Sequence, residues 1–321
     1  MKIEINEFLE RAGQIIDVRS PQEFVHAHIP GAINVPLFTD DERARVGTTY
    51  KKVGQKEAIR LGVELVSPKL LSIFTQIENT CGLKKVYCWR GGMRSGFLCA
   101  FLQSLGISCV QLSGGYKAFR RMMLETLDRP LQLQVLGGMT GSGKTEALLK
   151  LSEKGHSVLD LEALASHRGS AFGALPDTCQ PSNEQFENLL GYALLNKKEP
   201  IWIEDESRLI GSCLIPNALY KNMQQAKLFV LDCPIDERVD RIYRLYGSFS
   251  KQWWSENVLK VQRRLGGEET KKVLTAIEQD RLPDAIRILL TYYDRAYQYA
   301  LTRHQGPVVH VTKGELYESA C

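Results

Sequence analysis

Close cysteine pairs, long apolar runs, internal repeats and low-complexity tracts are all missing from this chain of 321 residues. Its eight cysteines, at 81, 88, 99, 109, 179, 213, 233 and 321, never form a CxxC pair, which removes zinc-ribbon and dithiol motifs of the familiar spacing. Most then read as small core residues, and a reactive one must be found from its surroundings. No window approaches the roughly eighteen apolar residues that would span a membrane. The opening MKIEINEFLERAG is too acidic and amphipathic for a secretory signal, so a cytoplasmic location without a membrane partner is expected. With only 12 prolines and 24% charged residues, neither disorder nor a fibrous repeat is favoured. Charge of one sign is also scarce: the net +4 is too small to argue for a polyanionic partner. Residues 1–130 nevertheless hold 18 Lys and Arg against 13 Asp and Glu, so the basic surplus lies in the first part.

What is present is alternation. Short apolar runs at 14–18, 84–88 and 108–112 are each followed by a helix-like stretch, the pattern of an α/β domain. Residues 40–80 between them carry helical spacing, with Pro68 suited to a first helical turn. A helical pattern then ends at Arg129-Pro130, and a new strand begins. Two domains, 1–129 and 130–321, follow from the length and this break. The second alternates again, with strands expected near 132–136, 157–159, 201–203, 227–231 and 307–311. It reads as a doubly wound α/β domain whose part from 234 to 303 is helical.

The run Val86-Tyr87-Cys88-Trp89-Arg90-Gly91-Gly92-Met93-Arg94-Ser95-Gly96 puts a thiol where a strand stops and a glycine loop turns into a helix. Loop amides and the helix N-terminus converge there, and Arg90 and Arg94 would favour a thiolate at Cys88. Gly91, Gly92 and Ser95 complete an anion cradle; a buried structural cysteine is the alternative. Ile16-Asp17-Val18-Arg19-Ser20-Pro21-Gln22-Glu23-Phe24 with His28-Ile29-Pro30-Gly31-Ala32-Ile33-Asn34-Val35-Pro36 resembles the paired signature of rhodanese domains. The resemblance implies that Cys88 accepts a chalcogen atom. The common rhodanese loop has four residues between its cysteine and closing arginine, whereas Cys88 and Arg94 enclose five. That spacing also occurs in cysteine-dependent phosphatases, so phosphatase chemistry stays open, although no general-acid aspartate stands in the loop.

Gly138-Met139-Thr140-Gly141-Ser142-Gly143-Lys144-Thr145 satisfies GxxxxGK[ST] between a strand and a helix, the context the motif requires. Loop amides and Lys144 would bind a di- or triphosphate, and the Thr145 hydroxyl could ligate magnesium. Asp205, in Glu204-Asp205-Glu206-Ser207 after the PIWI strand, is the candidate for orienting that magnesium. Arg238, Arg241 and Arg244 follow a later strand, as in the arginine-bearing lids of small-molecule kinases, which keeps a kinase acting on RNA or a nucleotide in view. Arg241, Arg244, Arg263 and Arg264 are interleaved with Tyr243, Tyr246, Trp253 and Trp254, a mixture suited to single-stranded RNA. Helical spacing equally allows Tyr243 and Trp253 to be core. His167-Arg168-Gly169 reads as a loop, with Arg168 a further candidate for the diphosphate.

A rhodanese-like module ahead of a P-loop module, with HRGSAFG, EDESRLIG and RRLGG in the second, resembles the tRNA 2-selenouridine synthase family over essentially the whole chain. The resemblance implies work on a 2-thiouridine wobble base of tRNA. Geranyl diphosphate would first alkylate the sulfur, and selenium from selenophosphate would then displace the S-geranyl group. It further implies that the Gly138–Thr145 loop holds the geranyl donor, that Cys88 carries selenium as a selenylsulfide, and that a selenophosphate-producing enzyme is a possible partner. A module that merely relays sulfur, with no ligand on the P-loop, is the remaining alternative.

Overall fold

The computed structural model describes residues 1–167 and 179–319. Arg168 and the rest of the 168–178 stretch lie outside the described residues. The chain forms two compact units: Met1–Thr126 with Pro181–Tyr192, and Leu127–Gln180 with Ala193–Cys321. This corrects the single boundary near 129, because after entering the second unit the chain returns to the first for one helical segment.

The first unit is built on five parallel strands, β1 (Lys2–Ile3), β2 (Gln14–Asp17), β3 (Ile33–Asn34), β4 (Lys84–Tyr87) and β5 (Cys109–Leu112). Their spatial order is β1-β5-β4-β2-β3. β4 is buried along its whole length, as a central strand covered on both faces requires. The apolar core includes Ile16, Val86, Leu98 and Leu102. Even the two lysines of β4 are buried; Lys85 Nζ donates to Phe8 O (2.9 Å) and Arg11 O (2.6 Å), satisfying carbonyls at the end of helix Ile5–Glu10. Pro68 lies in a 3₁₀ turn, Ser67–Lys69, that leads into helix Leu70–Glu78.

The second unit continues the count with β6 (Leu133–Gly138), β7 (Ser157–Leu159), β8 (Ile201–Glu204), β9 (Leu209–Ile210), β10 (Cys213–Leu214), β11 (Lys227–Leu231) and β12 (Val308–Val311). Five of these form a second parallel sheet in the order β12-β11-β6-β8-β7, and β9 with β10 makes a small antiparallel hairpin. Four helices, Ile235–Tyr246, Lys251–Leu265, Gly267–Glu278 and Leu282–Leu301, make up the helical part. They enclose their own core, which contains Trp254, Val258, Val273 and Leu289. The eight strands expected from the sequence are present; β1, β3, β9 and β10, each two residues long, are too short to leave a periodic signal. In each sheet the strand that carries the glycine loop, β4 or β6, is interior, and the loop leaves its carboxyl end, where open α/β sheets bind ligands.

Candidate functional site

In the first unit, Cys88 directly follows β4 and the helix Met93–Ser104 begins five residues later. Between them the backbone must double back. Gly91 has φ +61°, and a Cβ there would run into the carbonyl of Leu112, so only glycine serves. The loop carbonyls are held from outside: Tyr116 N donates to Cys88 O (2.8 Å) and Lys117 N to Trp89 O (3.0 Å). Gln111 Nε2 donates to Gly91 O (2.8 Å) and Gly92 O (3.0 Å). With its carbonyls so engaged, and with no side chain capping the helix at Gly92, the loop presents amide groups to an anion.

The thiol itself differs from expectation. Cys88 is buried, at 3% exposure, and its sulfur accepts a hydrogen bond from Ser95 Oγ at 3.1 Å. Ser95 Oγ in turn accepts from Gln111 Nε2 (2.9 Å). A polarised chain of neutral donors therefore ends on the sulfur, in place of the two guanidinium groups expected there. Arg94 Nη1 instead pairs with Glu23 Oε2 at 3.3 Å, and Arg90 is exposed. Burial would raise the Glu23 carboxyl, but Arg94, the Ser20 amide and Arg43 together hold it below the usual range. Asp17 and Arg19, from the paired signature, form a buried ion pair at 2.6 Å, with the guanidinium 4.0 Å above the Tyr116 ring. Trp89, beside Cys88, stays 38% exposed and borders a cavity of about 530 Å³ with Arg19, Glu23, Arg43 and Glu184.

The second unit repeats the device. Gly143 caps helix Lys144–Glu153 at φ +89°, a left-handed turn that favours glycine. Lys144 Nζ donates to Gly138 O (3.1 Å), Ser142 N to Met139 O (3.0 Å), Arg238 Nη1 to Thr140 O (3.2 Å) and Arg241 Nη1 to Gly141 O (2.5 Å). The four successive carbonyls 138–141 are thus each hydrogen-bonded within the protein. The buried Ser142 hydroxyl has no protein partner, an orphan that a bound phosphate oxygen would satisfy. Gly138 N donates to Tyr297 Oη (2.8 Å). At the end of β8, Glu204 is pushed up to about 9 by burial and by Glu162, Asp160 and Glu206 nearby. Burial likewise raises Asp205, against the pull of Lys144 and Tyr297.

Two family profiles match this arrangement: residues 3–122 match the rhodanese-like domain, and residues 131–318 match the AAA domain of tRNA 2-selenouridine synthase. Proteins named tRNA 2-selenouridine synthase are similar across both units. The one from Marinobacter nauticus is 35% identical, covering 92% of this chain and 90% of its own. The chain belongs to the tRNA 2-selenouridine synthase family. A Pseudomonas fluorescens protein of the same name is 37% identical over 89% of this chain and 88% of its own, and one from Hahella chejuensis 36% over 93% and 88%.

Within this family member the remaining sequence candidates separate. Arg241 is 13% exposed and folded onto the P-loop, pairing with Glu146 at 3.3 Å. Arg238 is 3% exposed and clamped to Asp294 through two bonds of 2.7 Å. Arg244, Arg263 and Arg264 are exposed. Of the aromatic residues, Tyr246 and Trp254 are core and Trp253 stacks on Tyr246, while Tyr243 is exposed. Gln111 and Tyr297 were not legible as site residues: one is a lone amide in an apolar run, and the other reaches the P-loop from a helix 159 residues later. Nor did the sequence reveal the cavity of about 1350 Å³ that continues from the P-loop. Its walls beyond Lys144 include Tyr293, Leu289, Leu290, Ile286, Val261 and Trp254. Among the described residues no helix is long and apolar enough to cross a membrane.

Proposed function

We propose that the chain is a tRNA 2-selenouridine synthase that works in two steps on 2-thiouridine at the wobble position. In the first, the thiocarbonyl sulfur attacks the geranyl carbon of geranyl diphosphate. The C–S bond forms, the C–O bond breaks, pyrophosphate leaves and the base loses its N3 proton. In the second, a selenium nucleophile derived from selenophosphate adds at C2, and geranyl thiol departs. The S-geranyl group is the better leaving group, which is why alkylation precedes exchange.

The observation that carries this reading is a cavity in which a phosphate cradle opens onto an apolar, aromatic wall. A diphosphate with a hydrocarbon tail has that polarity. Leu289 lies eight residues before Tyr297 on one helix, about 12 Å along its axis, so the tail has length to occupy. Lys144 and the loop amides stabilise charge on the departing pyrophosphate. Thr145 and Asp205 are the residues that would hold magnesium. Among the described residues no group of three or more His, Cys, Asp or Glu is arranged for a metal, so the donor set suits an ion carried mainly by phosphate oxygens and water. Magnesium would neutralise the leaving group.

Nucleoside mass analysis tests the reading. Thiolated tRNA with geranyl diphosphate should yield S-geranyl-2-thiouridine, and adding selenophosphate should convert it to 2-selenouridine. Phosphorylation of RNA from ATP, without either product, would instead establish the kinase.

A further inference from the structure

We infer that Cys88 takes the phosphoryl group of selenophosphate and thereby releases selenide next to the RNA, rather than carrying selenium itself. The inference rests on the proposed selenophosphate-dependent step and specifies its chemistry.

Electron balance comes first. Selenium in selenophosphate is already at the selenide level, so transferring it to a thiol as a selenylsulfide requires a two-electron oxidant, and none belongs to the reaction. Attack of the Cys88 thiolate on phosphorus is redox-neutral. The S–P bond forms, the P–Se bond breaks with its electron pair going to selenium, and HSe⁻ leaves. Water then attacks phosphorus, the S–P bond breaks, and phosphate and the Cys88 thiolate are regenerated. HSe⁻ adds to C2 of the S-geranylated base and geranyl thiol departs.

The geometry fits a tetrahedral phosphoryl group. Five residues separate Cys88 from Arg94, one more than a single chalcogen atom requires in the common rhodanese loop. The carbonyls of Cys88, Trp89, Gly91 and Gly92 are all engaged by Tyr116, Lys117 and Gln111, so a phosphoryl group's equatorial oxygens would meet the loop amides and the helix N-terminus instead. Ser95 donates to the sulfur at 3.1 Å and is itself fixed by Gln111. A hydroxyl in that place stabilises the thiolate both as it attacks and as it leaves. The loop Trp89-Arg90-Gly91-Gly92-Met93 contains no acid. An alkoxide leaving group would need one, but the proton that a hydrogen selenophosphate dianion already carries leaves on selenium as HSe⁻, a base weak enough to need no further proton from the protein. The missing general acid is thus what a P–Se substrate predicts.

The test uses the full chain with selenophosphate labelled at phosphorus, quenched rapidly and followed by radioactivity and phosphorus NMR, since phosphoryl and selenium adducts have nearly the same mass. Label should appear on wild-type protein, be absent from Cys88→Ser, and accumulate at least about fivefold in Ser95→Ala, where the leaving thiolate has lost its donor. Free selenide should restore 2-selenouridine formation by Cys88→Ser on S-geranylated tRNA above the enzyme-free rate, with geranyl transfer by that variant reporting its fold. Selenium without phosphorus on Cys88, or wild-type turnover with no labelled protein in either wild type or Ser95→Ala, would overturn the inference. So would failure of selenide to restore Cys88→Ser. Absence of 2-selenouridine from the wild-type reaction would instead refute the proposed function.

Discussion

Lys144 and Gly138 show how one side chain can serve a loop twice. The ammonium group is held by the loop's own first carbonyl at 3.1 Å, and its charge pulls Asp205 and Glu206 down against burial. Removing it takes away the charge partner of the leaving pyrophosphate in a partly desolvated site, about 2–3 kcal/mol. Lys144→Ala should therefore lower geranyl transfer roughly 30- to 160-fold, measured as S-geranyl nucleoside, while selenation of pre-geranylated tRNA stays near wild type. Glu204 makes a different residue-scale test. Its folded pKa of about 9 lies above the ordinary 4.5, so between those values the folded protein holds more protons than the unfolded chain, and stability falls as pH rises. Glu204→Gln cannot ionise and keeps the acceptor for the Glu162 amide. In magnesium-free buffer its melting temperature should exceed the parent's at pH 8, with the gap closing as pH falls toward 4.5.

At the scale of elements, the helix Leu282–Leu301 connects the core to the chemistry. Ile286, Leu289 and Leu290 are buried in the helical core, and Tyr297 on the same helix accepts from the P-loop. The exposed Ala296 borders the same cavity. Ala296→Phe adds a ring to the cavity without overpacking the core, and should raise the KM for geranyl diphosphate several-fold while leaving the melting temperature and the selenophosphate step unchanged; equal kinetics would place the tail elsewhere. The strand-loop-helix elements were legible because their signals are local: β4 and β6 are apolar runs that end in glycines. The guanidinium partners were not. Arg94 and Arg241 stand beside their loops in sequence or in pattern, yet Glu23 and the Gly141 carbonyl claim them. Such pairings join residues 71 and 100 positions apart, and no periodicity encodes them. The burial of Cys88 is of the same kind, since it belongs to a core shared with Ile16, Val35 and Leu98 from other elements.

Across the whole molecule, the family matches divide at the linker signal near 129, and the helix Asn183–Leu194 adds what that signal does not carry, the chain's return to the first unit over Pro181–Tyr192. Composition marks where a strand pattern restarts, but not where a later segment packs. Within the first unit, Tyr116 Oη donates to Glu184 Oε1 (2.6 Å) and accepts from Asn188 Nδ2 (2.8 Å), and His28 N donates to Gln185 Oε1 (2.7 Å). Arg120 pairs with Glu187. Tyr116 and Met123, both fully buried, lose cover when this segment is absent, at about 1.5–3 kcal/mol for each side chain exposed. Tyr116 also stacks under the Arg19 guanidinium and its backbone amide holds the Cys88 carbonyl. A fragment of residues 1–129 should accordingly be several kcal/mol less stable to urea than the same fragment with residues 179–195 joined through a flexible linker. The synthetic 179–195 peptide added in trans should raise the short fragment's midpoint in a concentration-dependent way, because it binds the folded form alone. Equal midpoints for the two fragments would mean that residues 1–126 hold the Cys88 cradle unaided.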